Sequence, residues 1–445
     1  MILLELPVLL GVIPLTVLLA VCLPARYRLP VLTAGGLAAL WLACGVRGLI
    51  LTLCSVCAGW LCLRLQTPRS QNRRAALLWL AAGTAIQAVL LLLGRIFISA
   101  PSQRIPLLLC IMQAIGCIKA RCSGRLAVQP LTAYLHYQCA LPRLTGGPVL
   151  SFPQAAEIAR KRRADVRLAG SGGLHFTAGL VQLSLLAAPL FSMHRQMTEA
   201  RAAVSSFDTW LLLIVFYCAA YYAVRGAAEL CRGIAALTGY RVPPQSDTPL
   251  LARTPRDFCA RWYRSAADWC KVVLLRDGLP LDNTAYFART LPFLCGIGML
   301  LGRGWATGLL WGAFTALLLT AERTLRRRSV RPAAGVSRFL TGALMLLSCC
   351  FLQAQTLTDS FSAVAGLLGK NGILPSGRAV YAFRNHWLPL LAAVIGLLPL
   401  RPALRRLLQR KKLLARAAYG LIPLAEAALL LLCLTELIAG RLRGF

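Results

Sequence analysis

Long stretches of apolar residues dominate the chain. Four of them are long enough to cross the hydrocarbon core of a bilayer as single helices. They occupy residues 2–23, 76–99, 210–237 and 417–440. Shorter or interrupted apolar stretches lie at residues 29–46, 49–63, 105–118, 173–192, 287–301, 305–320, 339–352 and 387–400. Because short stretches can also re-enter a bundle, the pattern predicts roughly eleven transmembrane helices in an all-α integral membrane protein.

Three segments between these stretches are too polar to span a membrane and too apolar to be plain loops. They occupy residues 127–153, 254–281 and 355–370, and each is expected to lie in the interface or to re-enter the bundle. The middle segment has the clearest period, which predicts one amphipathic helix over residues 257–273 with an aromatic face at headgroup depth. The residues that define this face are Phe258, Trp262, Ala266 and Trp269.

Composition agrees with a membrane protein. The chain is 58% hydrophobic and 14% charged, and its mean hydropathy is +0.66. No linker, low-complexity tract or fixed-period repeat divides it, so residues 1–445 are predicted to form a single polytopic membrane domain.

The formal net charge of +34 first suggests nucleic acid, but the arginines lie between the apolar stretches. There they orient helices by the positive-inside rule, which places these loops in the cytoplasm and makes the lipid bilayer, not nucleic acid, the expected partner. Recruitment of an anionic substrate is the alternative interpretation. The main clusters are Arg64 with Arg69, Arg73 and Arg74; residues 160–163; Arg323 with residues 326–328; and residues 401–416.

Cysteine and histidine do not form a recognisable metal motif. Most of the 17 cysteines fall within or beside apolar stretches, as small buried residues do. Cys54 and Cys57 have redox or metal spacing, but no histidine or carboxylate lies nearby in the sequence to complete a site. We therefore expect no metal.

One glycine- and tryptophan-rich stretch carries the most specific information. In it, Gly298, Gly302, Trp305, Trp311 and Gly312 match the frame G-L-W-H-G-A-N-W followed by L-W-G-L-L-H-G, with one residue inserted. This frame is typical of the membrane-bound O-acyltransferase (MBOAT) family, in the bacterial branch that includes alginate O-acetyltransferase and the D-alanyl transfer protein of teichoic acid. The chain resembles that family.

Three further segments support the resemblance in the family's order. Arg261, Trp262 and Trp269 match the segment F-W-R-R-W-H-x-S-L-x-x-W. Upstream, residues 141–149 resemble the signature F-P-x-L-x-x-G-P-I. Downstream, residues 351–354 resemble F-F-R-A and precede an amphipathic stretch. The similar segments extend over nearly the whole chain.

The resemblance implies a function in the acetylation of a cell-surface polysaccharide at the cell membrane. It implies no bound cofactor, but an acyl thioester such as acyl-CoA as the cytoplasmic donor. In the family, the histidine of the L-W-H-G motif is held to act as a base on the acceptor hydroxyl. Leu301 occupies that position here, and Tyr263 and Thr315 replace the other two motif histidines. Because leucine cannot accept a proton, we expect histidine-based catalysis to be impaired or lost.

Other residues are candidates for contacts with a cavity or a substrate. His136 and His175 flank the Gly-Pro signature, and either could replace the missing base or have a structural role. Arg303 could bind a phosphate or carboxylate in a cavity, or it could be a topology charge in an exposed turn. The matched motif residues Arg261, Trp262 and Trp305 complete the set.

Three hypotheses follow from these observations. The first is an MBOAT-fold O-acyltransferase with a rearranged or decayed site. The second is a pseudoenzyme that acts as a scaffold for an active homologue or for an extracytoplasmic SGNH-type transferase. The third is a transporter or flippase, which ranks last because the sequence contains no paired inverted halves.

Overall fold

The computed structural model describes residues 5–66, 73–144, 146–162, 165–198, 205–275, 281–328, 333–370, 372–398 and 412–442. Within these ranges the regular elements are helices and there is no strand. Eight of the helices in the described part of the chain are long and apolar enough to cross a membrane. The all-α integral membrane fold is therefore confirmed, whereas the count of roughly eleven spans stays a prediction.

The first half of the chain contains long apolar helices and a group of short ones. Helix α2 bends at Gly45, whose φ of +66° is readily adopted only by glycine, so the predicted stretches 29–46 and 49–63 are its two halves. The helices are α1 Pro7–Cys22, α2 Ala25–Leu65, α3 Arg73–Phe97, α4 Ile105–Cys122, α5 Leu131–Cys139, α6 Leu141–Leu144, α7 Phe152–Arg160 and α8 Val166–Thr198.

The second half repeats this mixture of spans and short helices. Helices α12 and α13 form an antiparallel pair, joined by a turn at residues 302–304. The helices are α9 Ser206–Leu237, α10 Pro255–Trp262, α11 Arg264–Trp269, α12 Asn283–Leu301, α13 Trp305–Arg327, α14 Ala334–Gln353, α15 Leu357–Leu367, α16 Gly377–Leu397 and α17 Lys412–Leu442.

Hydrogen bonds between helix ends define two ends of the bundle. At the basic end, Arg121 donates to the carbonyl of Gln66 at 3.0 Å, and Arg162 donates to the carbonyl of Thr238 at 2.9 Å. Helices α2, α4 and α9 thus finish together, beside the arginine clusters around residues 64, 160 and 323. By the positive-inside rule we expect this end to face the cytoplasm.

The far end collects the opposite ends of the same helices. His194 at the end of α8 lies 2.9 Å from Gln353 at the end of α14, and the backbone N–H of Ser206, which begins α9, donates to Gly372. Arg104 joins the end of α3 to the end of α12 by donating to Ile98 and Leu300. The turn at residues 302–304 lies here, on the side expected to face away from the cytoplasm.

The predicted single amphipathic helix over residues 257–273 is wrong. Helix α10 ends at Trp262, Tyr263 is extended with φ −152° and ψ 94°, and α11 begins at Arg264. The break occurs because the backbone N–H of Arg264 donates to the carbonyl of Gln245 at 2.7 Å instead of continuing the helix. The aromatic face is divided as a result, and both halves pack against protein.

Candidate active site

Two separated motif positions meet in one apolar cluster. Tyr263, from the break between α10 and α11, and Leu301, from the end of α12, both pack against a core built around buried Trp269. The other buried members of this core are Leu108, Leu109, Met112, Val149 and Leu300. We call this group the Trp269 cluster, and it brings together three of the motif segments.

Tyr263 links two of these segments directly. Its hydroxyl lies 2.6 Å from the carbonyl oxygen of Gly147 and 3.0 Å from that of Gly146, so it donates to the Gly-Pro signature. Burial raises the pKa of Tyr263 well above its usual range, which keeps the phenol protonated and a donor. The residue at the second motif position therefore has a positioning role in this structure.

Ser265 adds a second link between the same segments. The backbone N–H of Val149 donates to its hydroxyl oxygen at 2.9 Å, and Ser265 is buried. Ser265 was not among the residues predicted from the sequence. The signal was available, because Ser265 matches the serine of the R-W-H-x-S motif, three residues after Trp262.

Leu301 lies half-buried beside fully buried Leu300, immediately before the turn into α13. Helix α12 ends there because Gly302 adopts an extended backbone conformation. The backbone N–H of Gly302 still donates to the carbonyl of Gly298 and closes the last turn. The leucine side chain at position 301 contains no proton acceptor and therefore cannot itself act as a base.

Thr315 lies away from Leu301 along the helix pair. A Cβ on Gly308 would meet Gly298, and one on Gly312 would meet Cys295, so each step along α13 leads further from the turn. Thr315 comes after both contacts, is 1% exposed, and donates to Trp311 of its own helix at 2.8 Å. It satisfies its hydroxyl locally, as threonines in helices commonly do.

Arg303 and Trp305 occupy the turn between α12 and α13 and the start of α13. Both side chains are exposed, Trp305 by 64%. The backbone N–H of Arg303 donates to Leu352, and its carbonyl accepts from Arg95 at 2.8 Å. Arg303 therefore lies in an exposed turn, and its role as an anion contact or a topology charge stays a prediction.

Arg261 and Trp262 secure α10 to the rest of the protein. Arg261 lies 3.0 Å from Asp257 and 3.3 Å from Asp247, in ion pairs that tie the helix to the preceding loop. Trp262 packs edge-on against Tyr217 and Tyr221 of α9. In this structure these two motif residues make ion pairs and aromatic contacts.

A cavity of about 390 Å³ opens at the basic end between α4, α11 and the segment before α7. Lys119, Arg125 and Arg264 line it near the helix ends, whereas Gln113 lies six residues deeper along α4, about 9 Å by helical rise. Val149 and Trp269 also line it, so the cavity reaches the Trp269 cluster. Leu301 packs against that cluster without lining the cavity.

Two polar atoms beside this cavity lack partners. The side-chain oxygen of Gln113 and the indole N–H of Trp269 are buried and make no hydrogen bond to the described part of the protein. One is an acceptor and the other is a donor. Buried polar groups normally find partners, so a ligand or water with both functions would satisfy them.

The four histidines make helix contacts and do not line this cavity. His136 of α5 lies 2.7 Å from the hydroxyl of Thr33 in α2. His175 of α8 lies 2.8 Å from a carboxylate oxygen of Glu229 in α9. His194 contacts Gln353, and His386 contacts a carbonyl of its own helix.

Cys54 and Cys57 are exposed on α2, and across the described ranges no three His, Cys, Asp or Glu side chains form a group able to hold a metal ion.

Sequence comparison identifies relatives with a named activity. Over 248 residues the chain is 23% identical to the probable alginate O-acetylase AlgI of Azotobacter vinelandii. The aligned region makes up 54% of this chain and 48% of the relative. Over 240 residues it is 25% identical to the protein of the same description from Pseudomonas aeruginosa, covering 52% and 45%. No family model matches the chain. The chain spans about half the length of these curated relatives, and over that part it is homologous to proteins named probable alginate O-acetylase.

Proposed function

We propose that this protein is an MBOAT-type O-acyltransferase homologue of the cell membrane that takes part in acetylating a cell-surface polysaccharide, with its histidine-dependent transfer step impaired. One observation carries the proposal: the cavity from the basic end leads to the cluster against which Leu301 and Tyr263 pack. The relatives named probable alginate O-acetylase support the polysaccharide connection.

The cavity suits an acyl thioester such as acetyl-CoA as donor. Its volume falls within the range of small-molecule pockets, about 300 to 1,000 Å³. Exposed Arg125 and Arg264 supply positive charge for phosphates at the basic end. Deeper inside, Gln113 and Trp269 offer an acceptor and a donor, which match the amide groups of a pantetheine arm.

The transfer step lacks its usual base. Loss of a positioned acid or base typically reduces a rate by about 100- to 10,000-fold. Tyr263 donates its proton to two carbonyls and Thr315 donates within its own helix, so neither replaces the base at Leu301 in this structure. We therefore infer donor binding with slow or absent transfer.

Purified protein in nanodiscs tests both halves of this proposal. The parent is expected to bind labelled acetyl-CoA, and an Arg125→Gln, Arg264→Gln double variant to bind it more weakly than an Arg328→Gln control at the same end. The parent is expected to transfer little label to acetylatable polysaccharide, while Leu301→His recovers transfer and the control Leu325→His does not. Absence of donor binding would reject the cavity assignment. Rapid parental transfer, unchanged after replacing His136 and His175, would reject impairment.

A second candidate function is a non-catalytic scaffold, favoured by the apolar packing between the cavity and Leu301. Its partner would be an active MBOAT homologue or an SGNH-type transferase outside the cytoplasm. In cells, a scaffold predicts that deletion of the protein abolishes polysaccharide acetylation, while Leu301→Ala and the Arg125, Arg264 double variant preserve it. Loss of acetylation in the double variant would instead favour a role that requires the donor.

A further inference from the structure

The far end of the bundle carries arginines that membrane topology does not explain. The positive-inside rule accounts for cations at the basic end, yet Arg95, Arg104 and Arg303 meet where α3 and α12 finish at the opposite end. Arg95 and Arg104 lie close enough for their like charges to interact. Like charges this close repel one another, which is unfavourable unless another group or solvent compensates them.

Among the residues that the structure describes, this group has carbonyl partners but no carboxylate in an ion pair. Arg104 is 1% exposed and donates to the carbonyls of Ile98, Ser99 and Leu300. Within the described ranges, none of the ion pairs includes Arg95, Arg104 or Arg303. The positive charge is therefore left for a ligand or for solvent to neutralise.

Two of the three guanidinium groups retain donors for such a ligand. Arg95 donates one N–H to the carbonyl of Arg303 at 2.8 Å, and its Nε is buried without a partner among the described residues. The Arg303 side chain is exposed and makes no hydrogen bond to the described residues. Because Arg95 donates to the backbone carbonyl of Arg303, its guanidinium reaches the turn from which the exposed Arg303 side chain extends, two residues beyond Leu301. Guanidinium groups suit carboxylates and phosphates in particular, since their paired N–H donors, arranged as a planar fork, can make two hydrogen bonds to one anion.

We propose that Arg95 and Arg303 form an anion site for carboxylate or phosphate groups of an extracytoplasmic acidic glycan. The proposal rests on the proposed function, because it makes this turn the place where the acceptor polysaccharide is held. An anionic lipid headgroup has the same chemistry, but anionic lipid creates its surface potential chiefly at the cytoplasmic leaflet, which faces the other end. Buried Arg104 joins the ends of α3 and α12 through its hydrogen bonds to Ile98 and Leu300.

Binding to right-side-out membrane vesicles tests this site without any donor or transfer step. The probe is a fluorescent oligogalacturonate, and its neutral methyl ester is the control ligand. We expect Arg95→Gln and Arg303→Gln each to weaken binding of the acid about fivefold, in keeping with one exposed charge-assisted contact. Arg378→Gln, at the start of α16 on the same end, is the matched control and should leave binding unchanged. The ester should not bind, and added salt should weaken binding of the acid.

Further variants separate binding from folding and from lipid. Arg303→Lys keeps the charge without the fork and should lose less binding than Arg303→Gln. Thermal unfolding midpoints confirm that each variant is folded, and the Arg303 variants remove no side-chain hydrogen bond. Equal binding by parent and glutamine variants, or equal binding of acid and ester, would overturn the site. The site would also be overturned if the glutamine variants lost co-purified anionic lipid but still bound the oligosaccharide. Acetyl-CoA binding at the basic end is measured separately, so failure of either proposal is visible alone.

Discussion

The hydroxyl of Tyr263 lies 2.6 Å from the carbonyl oxygen of Gly147, across 116 residues of sequence. Gly147 itself has no room for a side chain, because a Cβ there would lie 2.0 Å from the carbonyl oxygen of Pro142. The Tyr263 hydroxyl therefore ties the tight Gly-Pro segment to the break between α10 and α11. Tyrosine at this motif position joins two walls of the candidate site.

Tyr263→Phe is expected to destabilise the protein by about 1 to 2 kcal/mol, because it leaves two buried carbonyls without their donor. The measurement is the thermal unfolding midpoint of detergent-purified protein, followed by tryptophan fluorescence. Tyr381→Phe is the matched control, since Tyr381 is 65% exposed on α16. Equal midpoints for the two variants would show that the Tyr263 hydroxyl does not hold the Gly-Pro segment.

The break at Tyr263 also shows what the sequence could not predict. Hydrophobic stretches identify spans reliably, because each must be apolar over its whole length, and the all-α membrane fold was predicted from them. The period of residues 257–273 favoured one helix. The competing hydrogen bond from Arg264 to Gln245 comes from a loop outside that window, so local periodicity contained no sign of it.

Gly308→Ala is expected to destabilise the α12–α13 pair by about 1 to 3 kcal/mol or more, the usual effect of overpacking. A Cβ at this position would lie 2.2 Å from the carbonyl oxygen of Gly298, where backbone cannot easily move aside. Gly342→Ala in α14 is the control, because a Cβ there meets no atom within 4 Å. Alanine in an open helical position is neutral or stabilising. A lower midpoint for Gly342→Ala than for Gly308→Ala would contradict the close contact.

The site was predictable only in part. The glycine frame of α12 and α13 was visible in the sequence. A second set was also visible where α8 and α9 approach, with two glycines seven residues apart on each helix: Gly172 and Gly179, and Gly226 and Gly233. The cavity was not predictable, because α4, α11 and the segment before α7 are remote in sequence. His136 and His175 flank the signature in sequence, yet their contacts are with α2 and α9.

Arg104→Lys is expected to destabilise the far end by about 2 to 4 kcal/mol, because an ammonium group cannot reproduce a fork that satisfies three carbonyls while buried. Arg47→Lys is the control, since Arg47 is exposed beyond the bend of α2. Hydrogen–deuterium exchange should localise the change to the ends of α3 and α12. A uniform response over the whole protein, or none, would be evidence against Arg104 as the link between these helices.

Histidine at position 301 should be tolerated better than histidine at position 300. Leu300 is fully buried in the Trp269 cluster, so an imidazole there loses its hydration without a partner and should destabilise the protein by about 2 to 4 kcal/mol. Leu301 is half-buried, and Leu301→His should cost about 1 kcal/mol, since one side of the ring stays accessible. Thermal unfolding midpoints of the two variants measure the difference. A large difference between the two midpoints means that position 301 has space for an imidazole. The hypothesis of an enzyme that has lost its histidine requires such space. Equal destabilisation means that packing around Leu301 has closed, which favours the scaffold over the enzyme.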